Sequence, residues 1–334
     1  MDDKLTEIER LVRETFDLWD MLRVGFRWRH YSLNHTYRVT NLSVSMSVHE
    51  GADPYKLRCA GILHDITKPY DGEIKMAPNG ERVTNEDGFW LNDTLLPSRS
   101  NWVIELYDRL NLHGQIHHES GATVAEQVLR EVGYPESDAR EIGEIVRGHL
   151  KPADLTFERA SRIYRLPETR LLYDADTIDP NLGLTAFYRN IQITMGRYLK
   201  SDSLPDLKEY VERVASWLGT KDSFIEQLLT ATGREVGEGR QARMREVSRQ
   251  LLVECDNLEM NRTYGLLGVV EFLQTDAHDP SLRHHAERLR SAWLSGREVM
   301  LSDETRFSKD AATESLARAQ MFSDLLDKEI AGEL

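Results

Sequence analysis

A chain of 334 residues, 40% hydrophobic and 29% charged, is long enough for two domains that each bury a core. Its net charge of −14 excludes a protein that grips nucleic-acid backbone over a broad surface, which needs clustered lysine and arginine; a small anion held by local cations is compatible with it. No run approaches the ~18 apolar residues of a membrane span, and the start Met1-Asp2-Asp3-Lys4 is charged, without an apolar signal region. The two cysteines, Cys59 and Cys255, are far apart, which argues against a disulfide framework or a thiolate zinc site, and a cytoplasmic location is expected.

With only 10 prolines and 21 glycines, and long stretches of three-and-four spacing, the chain reads as all-α. Leu5, Ile8, Leu11, Val12, Phe16, Leu18, Trp19 and Leu22 predict an amphipathic helix over 4–24. A basic, aromatic segment from Arg27 to His35 leads into a second helix, whose stripe His35, Val39, Leu42 and Met46 ends at Glu50-Gly51, so His35 points inward. Asp53-Pro54 is a capped start for a third helix. It carries the small pair Ala60-Gly61, which lets another helix approach closely, and places His64 and Asp65 in its last turn.

Turn signals at Pro69, Asp71-Gly72, Pro78-Asn79-Gly80 and Asp87-Gly88 mark an irregular insertion at about 69–115, with a hairpin at Asn79-Gly80. A lid or specificity element is the functional expectation there, set against a surface insertion without a role. Helices are expected from His117 to Val132, from Pro135 to Leu150, over Phe157–Tyr164, and from Pro167 through Leu171–Asp179 to the terminator Pro180. His149 shares the inward face of Ala139, Ile142, Ile145 and Val146. The expected division is a domain over 1–200 carrying the insertion, and a helical C-terminal extension over 201–334 that packs on it or forms a homo-oligomer interface. Within the extension, Arg240–Arg245 reads as a solvated basic helix face, and His278, His284 and His285 as surface residues.

His64 and Asp65, side by side, offer an imidazole nitrogen and a carboxylate oxygen, the usual ligands of a borderline metal ion. Further inward-facing donors lie in the first 180 residues: His35, His117 or His118, His149, and Asp174 or Asp176. Two acids among the apolar neighbours of Leu171–Asp179 are costly to bury unless paired or metal-bound. Any one histidine on an apolar face is more often a satisfied core residue. Taken together the donors exceed the four or so ligands of one ion, and suffice for two ions sharing Asp65. So many imidazoles suit Mn, Fe, Co, Ni or Zn better than Mg, which remains the further option.

Five segments stand in order: His35-Thr36-Tyr37-Arg38-Val39, Ala60-Gly61-Ile62-Leu63-His64-Asp65-Ile66-Thr67-Lys68, His117-His118-Glu119-Ser120-Gly121-Ala122, Ile145-Val146-Arg147-Gly148-His149, and Leu172-Tyr173-Asp174-Ala175-Asp176-Thr177-Ile178. Through them, residues 25–195 resemble the HD-domain metal-dependent phosphohydrolases of the H…HD…H…H…D type. The resemblance implies an HD-domain helical bundle. It implies His35, His64, Asp65 and Asp176 as core metal ligands, with Asp174 as the alternative to Asp176. His149 and His117 are implied at a second ion, with His118 as the alternative to His117; the four-residue gap to Gly121 slightly favours His117.

The implied activity is hydrolysis of a nucleotide or related phosphate ester by metal-activated water, with Asp65, Lys68 and Arg38 as catalytic or phosphate-contacting residues; Arg147 is more simply a surface charge. The implied partner is a small phosphorylated substrate, with neither a membrane nor extended nucleic acid. A di-iron oxygenase of the same fold and a degenerate HD protein with a regulatory or binding role are the alternatives. Two departures bear on this. Thr67 stands where the family's HD-I-G-K step has glycine, and no Gly-Tyr-Pro run follows His64-Asp65, so cyclic-di-GMP phosphodiesterase activity is not implied.

Overall fold

The computed structural model describes residues 3–19, 22–23, 26–27, 32–84, 91–151, 157–201, 206–275, 281–303 and 306–333. The aromatic stretch 28–31, the Asp87-Gly88 turn and His278 lie outside the described residues. The rest is helical as expected, and the named strands form only two short antiparallel pairs. Two compact units divide the chain: one comprises Met1–Met21, His35–Asp176 and Leu229–Gly233, the other Leu22–Asn34, Thr177–Leu228 and Arg234–Leu334.

The first helix, α1 (Asp3–Phe16), is shorter than the expected 4–24. The Thr15 hydroxyl donates to Leu11 O at 2.7 Å, and the chain leaves the helix through bonds from Leu18 N–H to Thr15 O and from Trp19 N–H to Phe16 O. Such side-chain competition and tightened turns are common at helix ends. Trp19 is then buried edge-on against Tyr70, with centroids 5.3 Å apart. Leu22, assigned to the same helix from spacing, instead belongs to β1 (Leu22–Arg23), which pairs with β2 (Phe26–Arg27).

Next come α2 (Leu33–Glu50) and α3 (Pro54–Leu63). Asp53 caps α3 as its sequence indicates, accepting from Tyr55 N–H at 2.8 Å and Lys56 N–H at 3.3 Å. Gly61 is what lets α2 and α3 approach: a Cβ there would lie 2.9 Å from the Thr40 Cα. The hairpin at Asn79-Gly80 is present, with a Met76–Arg82 bridge and Gly80 at φ +83°. The insertion adds β3 (Asp71–Ile74) paired with β4 (Asn92–Thr94), then α4 (Trp102–Arg109) capped by Asn101.

Four more helices follow: α5 (His117–Glu131), α6 (Glu136–Arg147), α7 (Phe157–Ile163) and α8 (Pro167–Asn181). Within the first unit α5 packs along α6, and α3 packs against α1, α5 and α6. Leu57, Leu63, Val124, Val128, Ile142 and Ile145 are buried.

The second unit holds α9 (Leu184–Ser201), α10 (Leu207–Gly219), α11 (Asp222–Gln227), most of α12 (Ala231–Glu254), α13 (Leu258–Tyr264), α14 (Leu266–Thr275), α15 (Leu282–Arg288), α16 (Ser295–Asp303) and α17 (Lys309–Ala331). Its core includes Phe187, Ile191, Val211, Val214, Leu267, Val270 and Phe322. Two expectations fail here. Arg240 and Gln241 are buried, not solvated: the Arg240 guanidinium lies 3.8 Å from the buried Glu329 carboxylate, because an enclosed charge needs a counter-charge. His285 is likewise buried, its Nδ1 and the Tyr188 hydroxyl 2.6 Å apart, while His284 is exposed.

Candidate metal centre

His64 caps the C-terminus of α3, and His149 follows Gly148, which caps α6. A helix C-terminus leaves carbonyls without an intrahelical partner, and each histidine turns back onto one. His64 Nδ1 donates to Gly61 O at 2.6 Å and His149 Nδ1 to Val146 O at 2.6 Å. A carbonyl only accepts, so the proton is on Nδ1 and the Nε2 lone pair is free to bind an ion. His117, opening α5, gains the same polarity from a side chain: its Nδ1 is 2.5 Å from Asp71 Oδ2.

The three Nε2 atoms and both acids converge. Asp65, fully buried, presents one oxygen to each of two donor groups. Its Oδ2 lies 3.5 Å from His64 Nε2 and 3.7 Å from His35 Nε2, and Asp176 Oδ1 lies 3.0 Å from His35 Nε2 and 3.6 Å from His64 Nε2. The other Asp65 oxygen, Oδ1, lies 3.6 Å from His117 Nε2 and 3.8 Å from His149 Nε2. Within His35, His64 and Asp176, and again within Asp65, His117 and His149, the donor atoms all lie within 4.8 Å of one another.

Ligand bonds of ~2.0–2.2 Å to one ion place neighbouring donors ~3.0–3.5 Å apart at right or tetrahedral angles. The donor separations given above, 3.0–3.8 Å, begin in that range and run slightly beyond it, so an ion would draw the donors a little closer. The donor set also leaves His64 Nε2, His117 Nε2, His149 Nε2 and Asp65 Oδ1 buried without a hydrogen-bond partner, a costly arrangement that a cation resolves.

The electrostatics agree. Burial raises the Asp65 carboxyl, but Lys68, whose ammonium is 2.7 Å from Oδ2, and the surrounding histidines hold it below the usual carboxylate range. Burial likewise opposes the ionised Asp176, and the 3.0 Å hydrogen bond from His35, with His64 and the Lys68 charge close by, outweighs it, leaving that carboxyl well below its ordinary value. Burial, with His64 alongside, pushes His149 well down, so it stays neutral.

The alternatives of the sequence occupy other places. His118 stands outside both donor groups, with Nε2 3.4 Å from Glu119 Oε1, and burial lowers its pKa. Asp174 is engaged elsewhere: its oxygens accept from Leu229 N–H at 2.7 Å, Thr230 N–H at 2.9 Å and the Thr230 hydroxyl at 2.6 Å. Arg38 is buried on α2, and Arg147 pairs with Glu119 at 2.9 Å. Lys68 is the catalytic candidate that keeps part of its side chain, 30%, exposed.

Two contributors are not evident from sequence. Asp71 reads there only as half of an Asp-Gly turn. Thr67 stands out only as a departure, yet it is fully buried, its hydroxyl 3.1 Å from His117 O and 2.9 Å from Ser120 Oγ, tying the turn after α3 to the start of α5. The departure from the family motif was its only signal.

A helical unit built around four buried histidines and two aspartates therefore carries two candidate metal-binding groups. The matching family model is the HD domain, over residues 32–181, and that part of the chain is an HD domain. Two solved structures are similar to it. One is a predicted HD superfamily hydrolase from an uncultured Thermotogales bacterium, 22% identical with a TM-score of 0.42, over 75% of this chain and 91% of that one. The other is YpgQ of Bacillus subtilis, 18% identical with a TM-score of 0.40, over 76% of this chain and 97% of that one. No curated protein matches the chain. No helix among the described residues is long and apolar enough to cross a membrane.

Proposed function

We propose that the protein is a metal-dependent phosphohydrolase acting on a nucleotide or related phosphate ester. The observation that carries this reading is Asp65, whose two oxygens face two separate histidine-bearing donor groups. His35, His64, Asp176 and Asp65 Oδ2 would hold one divalent ion, and His117, His149 and Asp65 Oδ1 a second. Ions held there supply Lewis acidity, which activates water and polarises a phosphoryl oxygen.

The chain's own residues do the rest. Lys68 keeps Asp65 ionised and offers the partly exposed cation suited to a phosphate oxygen. Carbonyl and carboxylate partners fix three imidazoles with Nε2 turned inward. The donor set favours Mn, Fe, Co, Ni or Zn over Mg. A small phosphorylated substrate, a cytoplasmic location and self-association through 201–334 belong to the same reading.

The test is elemental analysis of the purified protein followed by a broad nucleotide and phosphate-ester panel with that metal added. Metal binding together with phosphate release supports the reading; the absence of both refutes it. The histidine-rich donor set also suits a di-iron oxygenase, which oxygen uptake and a mixed-valent EPR signal would reveal.

A further inference from the structure

The three inward-turned imidazoles are not oriented alike. His64 and His149 take their orientation from carbonyls of their own helices, Gly61 O and Val146 O, which no side-chain substitution removes. His117 takes it from Asp71, 46 residues earlier in the chain, on the first strand of the insertion. The contact is short, 2.5 Å, and its acceptor is a carboxylate. Asp71 is itself largely enclosed, with 13% of its side chain exposed.

A carboxylate on Nδ1 does two things that a carbonyl does less well. It fixes the tautomer with Nε2 unprotonated, and its negative charge makes that nitrogen a stronger donor. Nε2 of His117 is buried without a hydrogen-bond partner, 3.6 Å from Asp65 Oδ1.

We propose that Asp71 is the positioning residue of the second metal site. On this view the insertion after the HD step is a structural part of the metal centre, and it governs occupancy of the His117, His149 and Asp65 Oδ1 group without touching the His35, His64 and Asp176 group. Asp71 reaches that group through His117, and Thr67 secures the backbone of the same residue. The inference rests on the two-ion reading above.

The experiment titrates metal-free protein with Co2+, following the visible bands of the bound ion and the cobalt retained after desalting. Wild type is expected to bind two ions per chain. Asp71→Asn, which keeps an acceptor oxygen but not the charge, and Asp71→Ala, which removes both, should bind the first ion with unchanged affinity. The second should weaken about 10- to 100-fold, the range found for such outer partners, more for Ala than for Asn, and Asp71→Glu should recover part of the loss.

In a His117→Ala background, Asp71→Asn should weaken the second ion no further, because its route to the ion is already gone. This comparison separates positioning from a general structural role. The inference is overturned if Asp71→Ala retains wild-type binding of both ions, if both affinities fall together, if the double variant loses further affinity, or if wild type takes only one ion. Phosphate release from the substrate panel is read separately, so a silent panel with the expected titration overturns the hydrolase reading and leaves this one standing.

Discussion

Asp174 and Asp176 lie two positions apart on α8, and the structure gives them opposite work, which makes them a sharp test. Asp174 is fully buried and accepts three hydrogen bonds from Leu229 and Thr230, holding the Leu229–Gly233 segment in the first unit. A would-be Cβ on Gly233 lies 2.2 Å from Asp174 Oδ2, so the segment sits directly on the carboxylate. Bonds to a charged acceptor contribute ~1.5–3 kcal/mol each, but three that share one carboxylate do not add. Removing one side of a buried charged network costs ~3–5 kcal/mol. For Asp174→Ala we take ~4 kcal/mol, which at ~2–4 °C per kcal/mol lowers the melting temperature by about 8–16 °C.

Asp176→Asn should behave in the reverse way. An amide oxygen still accepts from His35, so the melting temperature in chelator moves little. What is lost is stabilisation by metal, about 2.7 kcal/mol when the free ion is at 100 times its dissociation constant. The assay is thermal unfolding of wild type and both variants, each with EDTA and with Co2+ or Mn2+. Asp174→Ala should start low and gain the full metal increment; Asp176→Asn should start near wild type and gain a reduced one. If Asp174→Ala lost the increment at an unchanged baseline, or Asp176→Asn kept it whole, the assignment of the two acids would be wrong.

Three further outcomes are expected. Gly61→Ala places a methyl 2.9 Å from the Thr40 Cα and should cost ~1–3 kcal/mol in chemical denaturation by prising α2 from α3, with weaker metal binding as His35 moves from His64; a neutral effect on both would refute the close-approach role. Lys68→Ala should retain metal by elemental analysis and lose roughly 10- to 100-fold in kcat/KM on the substrate that the panel identifies, less than a fully buried donor because Lys68 is partly exposed. Burial raises the Glu254 carboxyl against the opposing pull of Leu267 N–H and Arg318, so its favourable contribution is complete below the ordinary glutamate value and is lost as pH rises through the raised one. The melting temperature of Glu254→Gln minus that of wild type should therefore increase from about pH 4 to pH 8, and a decrease over that range would reverse the sign of the argument.

What could be read ahead of the structure followed from locality. The helices of the first unit, the Asp53 cap and the inward faces of His35 and His149 are set by residues three or four positions apart, and short-range periodicity exposes such relations. Three things depended on distant chain and were not legible. The choice between Asp174 and Asp176 is made by Leu229 and Thr230, 55 and 56 residues on. The burial of Arg240 depends on Glu329. The role of Asp71 depends on His117. The early end of α1 is a different failure: Leu18, Trp19 and Leu22 keep the helical spacing, but Trp19 packs against Tyr70 from outside the helix.

The helix ends at the centre suggest why the donors are arranged as they are. His64 and His149 stand at the C-termini of α3 and α6, where the aligned peptide dipoles carry partial negative charge and favour a cation. His117 opens α5, and a helix N-terminus disfavours a cation while favouring an anion. A metal ligand at that end therefore works against its own backbone field, whereas the two at C-terminal ends work with theirs. The Asp71 carboxylate offsets that difference by standing against His117 Nδ1, where His64 and His149, the other two imidazoles with a buried Nε2 lacking a hydrogen-bond partner, have only backbone carbonyls. In the two-ion reading proposed above, the two C-terminal ends and the shared Asp65 would favour the cations, and the carboxylate beside His117 would counter the opposing field at the N-terminal end of α5.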